Sequence, residues 1–125
     1  MMNESKDNII VSKSYSFALE IIKTYKYLIN ERKEFVLSKQ LLRSGTSIGA
    51  NVHEAIASES KKDFVHKLGV AVKEARETDY WLRLLKDSSY LDDVQFKDIK
   101  VHNGELIKIL NSIILTTKER YFKSS

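Results

Sequence analysis

Chemistry in this chain would have to come from few side chains. Its three histidines, His53, His66 and His102, lie far apart in three different segments. Asp63 and His66 have the i, i+3 spacing that di-iron helix bundles use, but such a centre takes two of those pairs plus two more inward carboxylates. No second pair exists, and His66 falls opposite the apolar row of its segment. Ser44, Thr46 and Ser47 are hydroxyls with no adjoining His–Asp arrangement to take up a proton. No glycine-rich phosphate loop is present. There is no cysteine, which excludes disulfides and thiolate metal sites. The expectation is a non-enzymatic protein with no catalytic residue, no metal and no cofactor. Positive charge remains. Lys62, His66, Lys73, Arg76, Tyr80 and Arg83 recur at helical spacing. Such a stripe sets four formal positive charges and one ring able to stack along a single face. RNA or DNA would bind there through Lys62, Lys73, Arg76, Tyr80 and Arg83, with an affinity that falls as salt rises. The competing reading is a solvated helix face. Lys118, Arg120 and Lys123 form a second basic cluster, equally well explained as positive charge favoured at a helix C-terminus.

The elements that carry these residues are helices. The 125 residues suit one domain, 1–125, with a core of its own. With 42% hydrophobic and 30% charged residues the composition is that of an ordinary soluble globular protein. There is no proline and only 4 glycines, which favours long uninterrupted helices. No stretch approaches the roughly 20 apolar residues needed to span a bilayer, and the polar start Met1–Asp7 leads into no signal-type apolar run. A cytoplasmic protein is the default expectation. The net charge of +4 permits a polyanionic partner without demanding one.

Apolar spacing predicts four helices, at about 8–30, 38–57, 60–87 and 93–121. In the first, Tyr15, Ala18, Ile22, Tyr25 and Ile29 step by 3 and 4 as a seam, widened by Phe17, Ile21 and Leu28. In the second, Leu37, Leu41, Ser44, Ile48, Val52 and Ala55 face the core, with Ser38 as N-cap. Asn51, at the edge of that row, reads as a buried amide that fixes helix register. Gly45 and Gly49 would each cost about 1 kcal/mol against alanine, so close packing must offset them. The third helix is capped by Ser60 and carries the clearest row: Phe64, Leu68, Ala71, Ala75, Thr78, Leu82 and Leu85. In the fourth, capped by Asp92 or Asp93, Phe96, Ile99, Leu106, Leu110, Ile113 and Thr117 form the seam. Asn103-Gly104 interrupts it as a kink or frayed turn. The last residues, Phe122–Ser125, are expected to be mobile. Short polar connections make successive helices antiparallel neighbours, so the fold class is all-α, an up-down-up-down four-helix bundle.

Two faces exceed what a lone bundle needs. Val70, Trp81 and Leu84 point away from the third helix's main row. Arg43, Ser47, Ala50 and Glu54 line a second side of the second helix. Arg43 and Glu54 are about 16 Å apart along the helix, so each needs a partner elsewhere, with Glu77 and Asp79 as candidates for Arg43. Together with Glu77 these residues form the expected oligomer interface; the alternatives are a flank covered within the bundle and a solvated one.

The run from Gln40 to Ala55, Gln-Leu-Leu-Arg-Ser-Gly-Thr-Ser-Ile-Gly-Ala-Asn-Val-His-Glu-Ala, resembles the signature of a bacterial four-helix-bundle family. That family is named for proteins encoded by intervening sequences in large-subunit ribosomal RNA genes. Its members resemble the accessory variability proteins of diversity-generating retroelements. The similarity continues through Ser60–Phe64 and Ala71–Leu82. Many relatives read Glu-Gly where this chain has Glu54-Ala55, and alanine there should extend the helix by about a turn. The resemblance implies a four-helix bundle in a ring of five subunits. For retroelement relatives it also implies nucleic-acid binding and contact with a reverse transcriptase. The functional expectation is a homo-oligomeric, ring-shaped bundle that binds RNA or DNA through a basic surface. The alternative is a protein-interaction scaffold with no nucleic-acid role.

Overall fold

The computed structural model of the chain describes residues 4–122, with side chains from Asp7 onward. Four α-helices follow one another: α1 Glu4–Asn30, α2 Leu37–Ile56, α3 Lys61–Asp87 and α4 Asp93–Tyr121. The expectations for Met1–Asn3 and for Lys123–Ser125, including Lys123 of the second basic cluster, lie outside the described residues. Each helix packs against two neighbours, in the cycle α1–α2–α3–α4–α1, and no diagonal pair comes as close. Cross-links fix the directions. Gly45 meets Ile21 and Gly49 meets Ser14; Asn103 reaches Ala75 while Lys100 reaches Asp79; His102 meets Glu20 while Glu105 meets Lys13. In each pair one number rises as the other falls, so neighbours run antiparallel. This is an all-α, up-down-up-down four-helix bundle.

The core holds the predicted α3 row in full: Phe64, Leu68, Ala71, Ala75, Thr78, Leu82 and Leu85 are all buried. The α1 row is displaced by one position from the expected seam. Ile10, Ser14, Phe17, Ile21 and Leu28 are buried, whereas Tyr15 is 68% exposed and Ala18, Ile22, Tyr25 and Ile29 are half-buried. The cause lies on α2. A Cβ on Gly45 would stand 2.7 Å from an Ile21 side-chain carbon, and one on Gly49 would stand 3.2 Å from the Ser14 carbonyl oxygen. α1 therefore sits on α2's two glycines, and its facing row needs a small residue, Ser14, at the closest point. This close approach within the bundle offsets the helix cost of Gly45 and Gly49.

The α4 row also differs. Asn103 is buried and the helix runs unbroken through it, so Asn103-Gly104 is not a frayed turn and does not interrupt the seam. Ile99, Asn103, Leu106, Leu110, Ile113 and Thr117 make one continuous seam. Asn103 Nδ2 donates to the Ala75 carbonyl of α3 at 2.8 Å. Asn51, expected in the register role, instead donates to Ser47 O of its own helix. The cross-helix amide is Asn103, since only a side chain in the core row can reach a neighbour's backbone.

Caps match expectation at α3, where Ser60 Oγ accepts from Asp63 N, and at α4, where Asp92 and Gln95 form a capping box. At α2 they do not. Ser38 lies inside the helix, and its Oγ donates back to Glu34 O. The cap is the Glu34 side chain, whose carboxylate accepts from Val36, Leu37 and Ser38 backbone N–H groups at 3.2, 3.1 and 2.6 Å. Three otherwise unsatisfied donors at a positive helix end explain why a glutamate is buried there. α2 continues through Ala55 and ends at Ile56, with Ala57 as its C-cap. No described helix is long and apolar enough to cross a membrane.

Candidate nucleic-acid and subunit surfaces

α3 presents two polar surfaces, one toward α2 and one away from the bundle. The first is built around Arg43. Its guanidinium reaches both Glu74 and Glu77 of α3, donating to Glu74 Oε1 at 3.2 Å and closely to Glu77 Oε2. Trp81 Nε1 donates to the same Glu77 oxygen at 3.0 Å. Glu77 and Trp81 are four residues apart, so one helical turn stacks them on one face. The Trp81 N–H above all holds the Glu77 carboxyl below the usual carboxylate range; desolvation opposes it, and the hydrogen bond and charge of Arg43 add to the lowering. The Glu77 hydrogen bond in turn raises the Arg43 pKa. Of the two partners expected for Arg43, Glu77 is one. Asp79 is not, because it turns toward α4 and pairs with Lys100 at 3.1 Å. Glu74, one turn before Thr78, takes its place. Beneath this network Thr78 Oγ1 and Ser44 Oγ share a buried hydrogen bond of 3.0 Å between α3 and α2.

Of the eight residues expected at an oligomer interface, Arg43, Glu77 and Trp81 meet between α2 and α3, whereas Ala50 and Glu54 border the groove between α2 and α1. Arg43, Ala50 and Glu54 are exposed, while Ser47, Val70, Glu77, Trp81 and Leu84 are half-buried. Ser47 Oγ is occupied with Arg43 O. On its other side α2 borders α1 in a groove of ≈ 530 Å³, lined among others by Val11, Tyr15, Ala18, Thr46, Gly49 and Ala50.

The second surface is the back of α3. Lys62, His66, Lys73, Arg76, Tyr80 and Arg83 are all exposed. Among the described residues Lys62, Lys73 and Arg76 form no ion pair, and Arg83 has only Asp79 at 3.8 Å, beyond hydrogen-bond distance. Tyr80 packs edge-on against Trp81, with ring centroids 5.0 Å apart and planes at 70°. Near the far end of the stripe, Lys62, Val65, Lys118, Glu119 and Phe122 line a shallow cleft where α3 begins and α4 ends. Lys61 stands over the Tyr121 ring there.

A third polar set crosses the α1–α4 seam. Lys13 binds Glu105 and His102 meets Glu20, each at 2.8 Å. The Lys13 hydrogen bond holds the Glu105 carboxyl below the usual range. Sequence reasoning missed these pairs, and only helix adjacency could have shown them. The three histidines lie on α2, α3 and α4, and among the described residues no group of three His, Asp or Glu side chains could hold a metal ion.

No curated protein matches this chain. Among solved structures, a Bacteroides thetaiotaomicron protein, described as having unknown function and as coming from the S23 ribosomal protein family, superposes with a TM-score of 0.87. The two are 52% identical over 88% of this chain and 98% of that one. The profile of the 23S rRNA-intervening sequence protein family matches residues 6–112. The chain belongs to the family of 23S rRNA-intervening sequence proteins.

Proposed function

We propose that this chain is a non-enzymatic, single-domain cytoplasmic protein that assembles into a homo-oligomer, as a ring of five, and binds RNA or DNA through the back of α3. One observation carries the nucleic-acid reading: exposed cations lie along one helix for about 32 Å with almost no carboxylate to neutralise them. Elsewhere in the bundle, Arg43, Lys13 and Lys100 each have a carboxylate within 3.2 Å. Unneutralised charge aligned on a rigid helix attracts phosphates. Charge reversal at Lys73, Arg76 and Arg83 should abolish retention of RNA and DNA at low salt and leave the oligomer intact. Absence of retention by the unmodified protein would sink the reading.

Assembly is supported by apolar surface left over on α1 and α3. Tyr15, Ala18, Ile22, Tyr25 and Ile29 keep a regular 3–4 spacing outside the core, and Trp81 is not fully covered. Sustained apolar stripes only partly covered within their own domain are interface material. Light scattering should give a mass near five chains, and Trp81→Ala or Arg43→Glu should lower it. A monomer at micromolar concentration would refute the assembly. These same stripes favour the second reading, a protein-interaction scaffold without nucleic acid. A reverse transcriptase is the partner in its retroelement form; a reverse-transcriptase gene beside this one and co-purification of the two proteins would support it.

A further inference from the structure

Resting on the basic-face reading above, we infer that the nucleic acid bound there is single-stranded, and that Tyr80 is the platform on which one of its bases stacks. Tyr80 is 52% exposed and stands between Arg76, one turn before it, and Arg83, one turn after. An exposed ring is ordinary; a ring packed on a tryptophan, with an exposed arginine one turn to either side, is less so. Tyr80 rests against the edge of Trp81, Trp81 is hydrogen-bonded to Glu77, and Glu77 is hydrogen-bonded to Arg43 of α2. This chain of contacts limits the conformations of the ring before any ligand arrives, so stacking loses little side-chain entropy. Among other exposed aromatics, Tyr121 already carries the Lys61 ammonium 4.4 Å from its ring centroid. Tyr15 is more exposed, but Val11 and Leu19, one turn to either side, are apolar and also exposed. Stacked bases inside a duplex cannot offer a face to the ring, whereas an unpaired base can, and base–aromatic stacking is tolerant of sequence. The flanking arginines would take the phosphates on either side of that base.

The test compares three fluorescent probes of about 12 nucleotides per strand, the scale of single-strand sites: single-stranded RNA, single-stranded DNA of the same sequence, and duplex RNA. Anisotropy titrations at low salt would use the full chain, its Tyr80→Ala and Tyr80→Phe variants, and Arg76→Glu as a charge control. Both single strands should bind more tightly than the duplex. Tyr80→Ala should weaken both single strands about tenfold and leave the duplex unchanged, while Tyr80→Phe should bind like the unmodified protein. Arg76→Glu should weaken all three probes. Equal binding of duplex and single strand with no effect of Tyr80→Ala overturns the inference and leaves the basic-face reading standing. Loss by Tyr80→Phe as large as by Tyr80→Ala also overturns it, because the hydroxyl rather than the ring would then make the contact. Failure of every probe to bind the unmodified protein removes the basic-face reading itself and this inference with it. An unchanged melting temperature and oligomer mass for Tyr80→Ala assign the loss to the ring rather than to the fold.

Discussion

Arg43 and Arg76 are both exposed arginines on adjacent helices, and their surroundings are opposite. Arg43 sits in the α2–α3 groove with Glu74 and Glu77 around it, and its hydrogen bonds join two helices. Arg76 sits on the back of α3 and, among the described residues, forms no ion pair. The side chains are identical; the neighbours decide the role. A cation already matched by carboxylates contributes to architecture and offers an incoming phosphate little. One without a match contributes nothing to the fold and keeps its field for a ligand. The same division separates other polar groups. Asn103 and Glu34 are buried with backbone partners, whereas Lys62 and Lys73 are solvated.

If that division is right, substitutions among the matched groups should cost stability and those on the back of α3 should not. The largest effect is expected at Asn103. Asn103→Asp would place a carboxylate in the core next to the Ala75 carbonyl, costing about 3 kcal/mol or more in denaturant unfolding. Asn103→Leu should be far milder, because Asn103 Oδ1 already lacks a hydrogen-bond partner among the described residues. A wide gap between the two variants sharpens the comparison, and equal costs would break it.

Next come the glycines. Gly45→Ala would press a methyl onto the stiff, β-branched Ile21, a clash of about 1–3 kcal/mol that outweighs the helix gain. At Gly104 a Cβ meets nothing within 4 Å, so Gly104→Ala should stabilise by up to about 1 kcal/mol. Thermal melts of the pair check both signs at once.

Arg43→Ala should cost about 1 kcal/mol, the upper range for an exposed pair, because Glu74 and Glu77 would be left facing each other. The same network has a pH signature. The folded state depresses the Glu77 pKa, so its contribution is complete above the unfolded carboxylate value. That contribution is lost as pH falls through the lower folded value. An acid titration followed by the fluorescence of Trp81, the chain's one tryptophan, should show a midpoint below the usual carboxylate range. In Arg43→Ala that midpoint should move up. The smallest stability effect belongs to Arg76→Glu, within about 0.5 kcal/mol of the unmodified protein, even as low-salt binding of RNA is weakened. A large destabilisation there would mean that the back of α3 is structural after all.

Legibility in the sequence followed the competition between rows. α3 has one apolar row with no equally regular rival, and every member is buried. α1 has two rows of equal regularity one residue apart. The more apolar one, through Tyr15 and Ile22, is at most half-buried because α2's glycines take Ser14 opposite them. On α4 the spacing from Ile99 to Asn103 to Leu106 is itself 4 and 3, so the periodicity did signal a continuous seam; the polarity of asparagine concealed it. At the proposed site the exposure of the basic stripe was legible from periodicity alone. The Arg43–Glu77 pairing was among the two expected, with Asp79 as the other choice; the second partner Glu74 and the Trp81–Glu77 hydrogen bond were not, because they depend on the α2–α3 register and on a rotamer.

By itself the sequence determined four long helices, their antiparallel order and the polar back of α3. Helix periodicity is local, and proline-free segments with short connections leave few other arrangements. Only the tertiary structure decided which of α1's two rows faces inward, which amide crosses the core and which cations find carboxylates. Those outcomes depend on the register between helices. Backbone contacts such as Gly49 against Ser14 set that register across 35 residues of separation, beyond the reach of any local pattern.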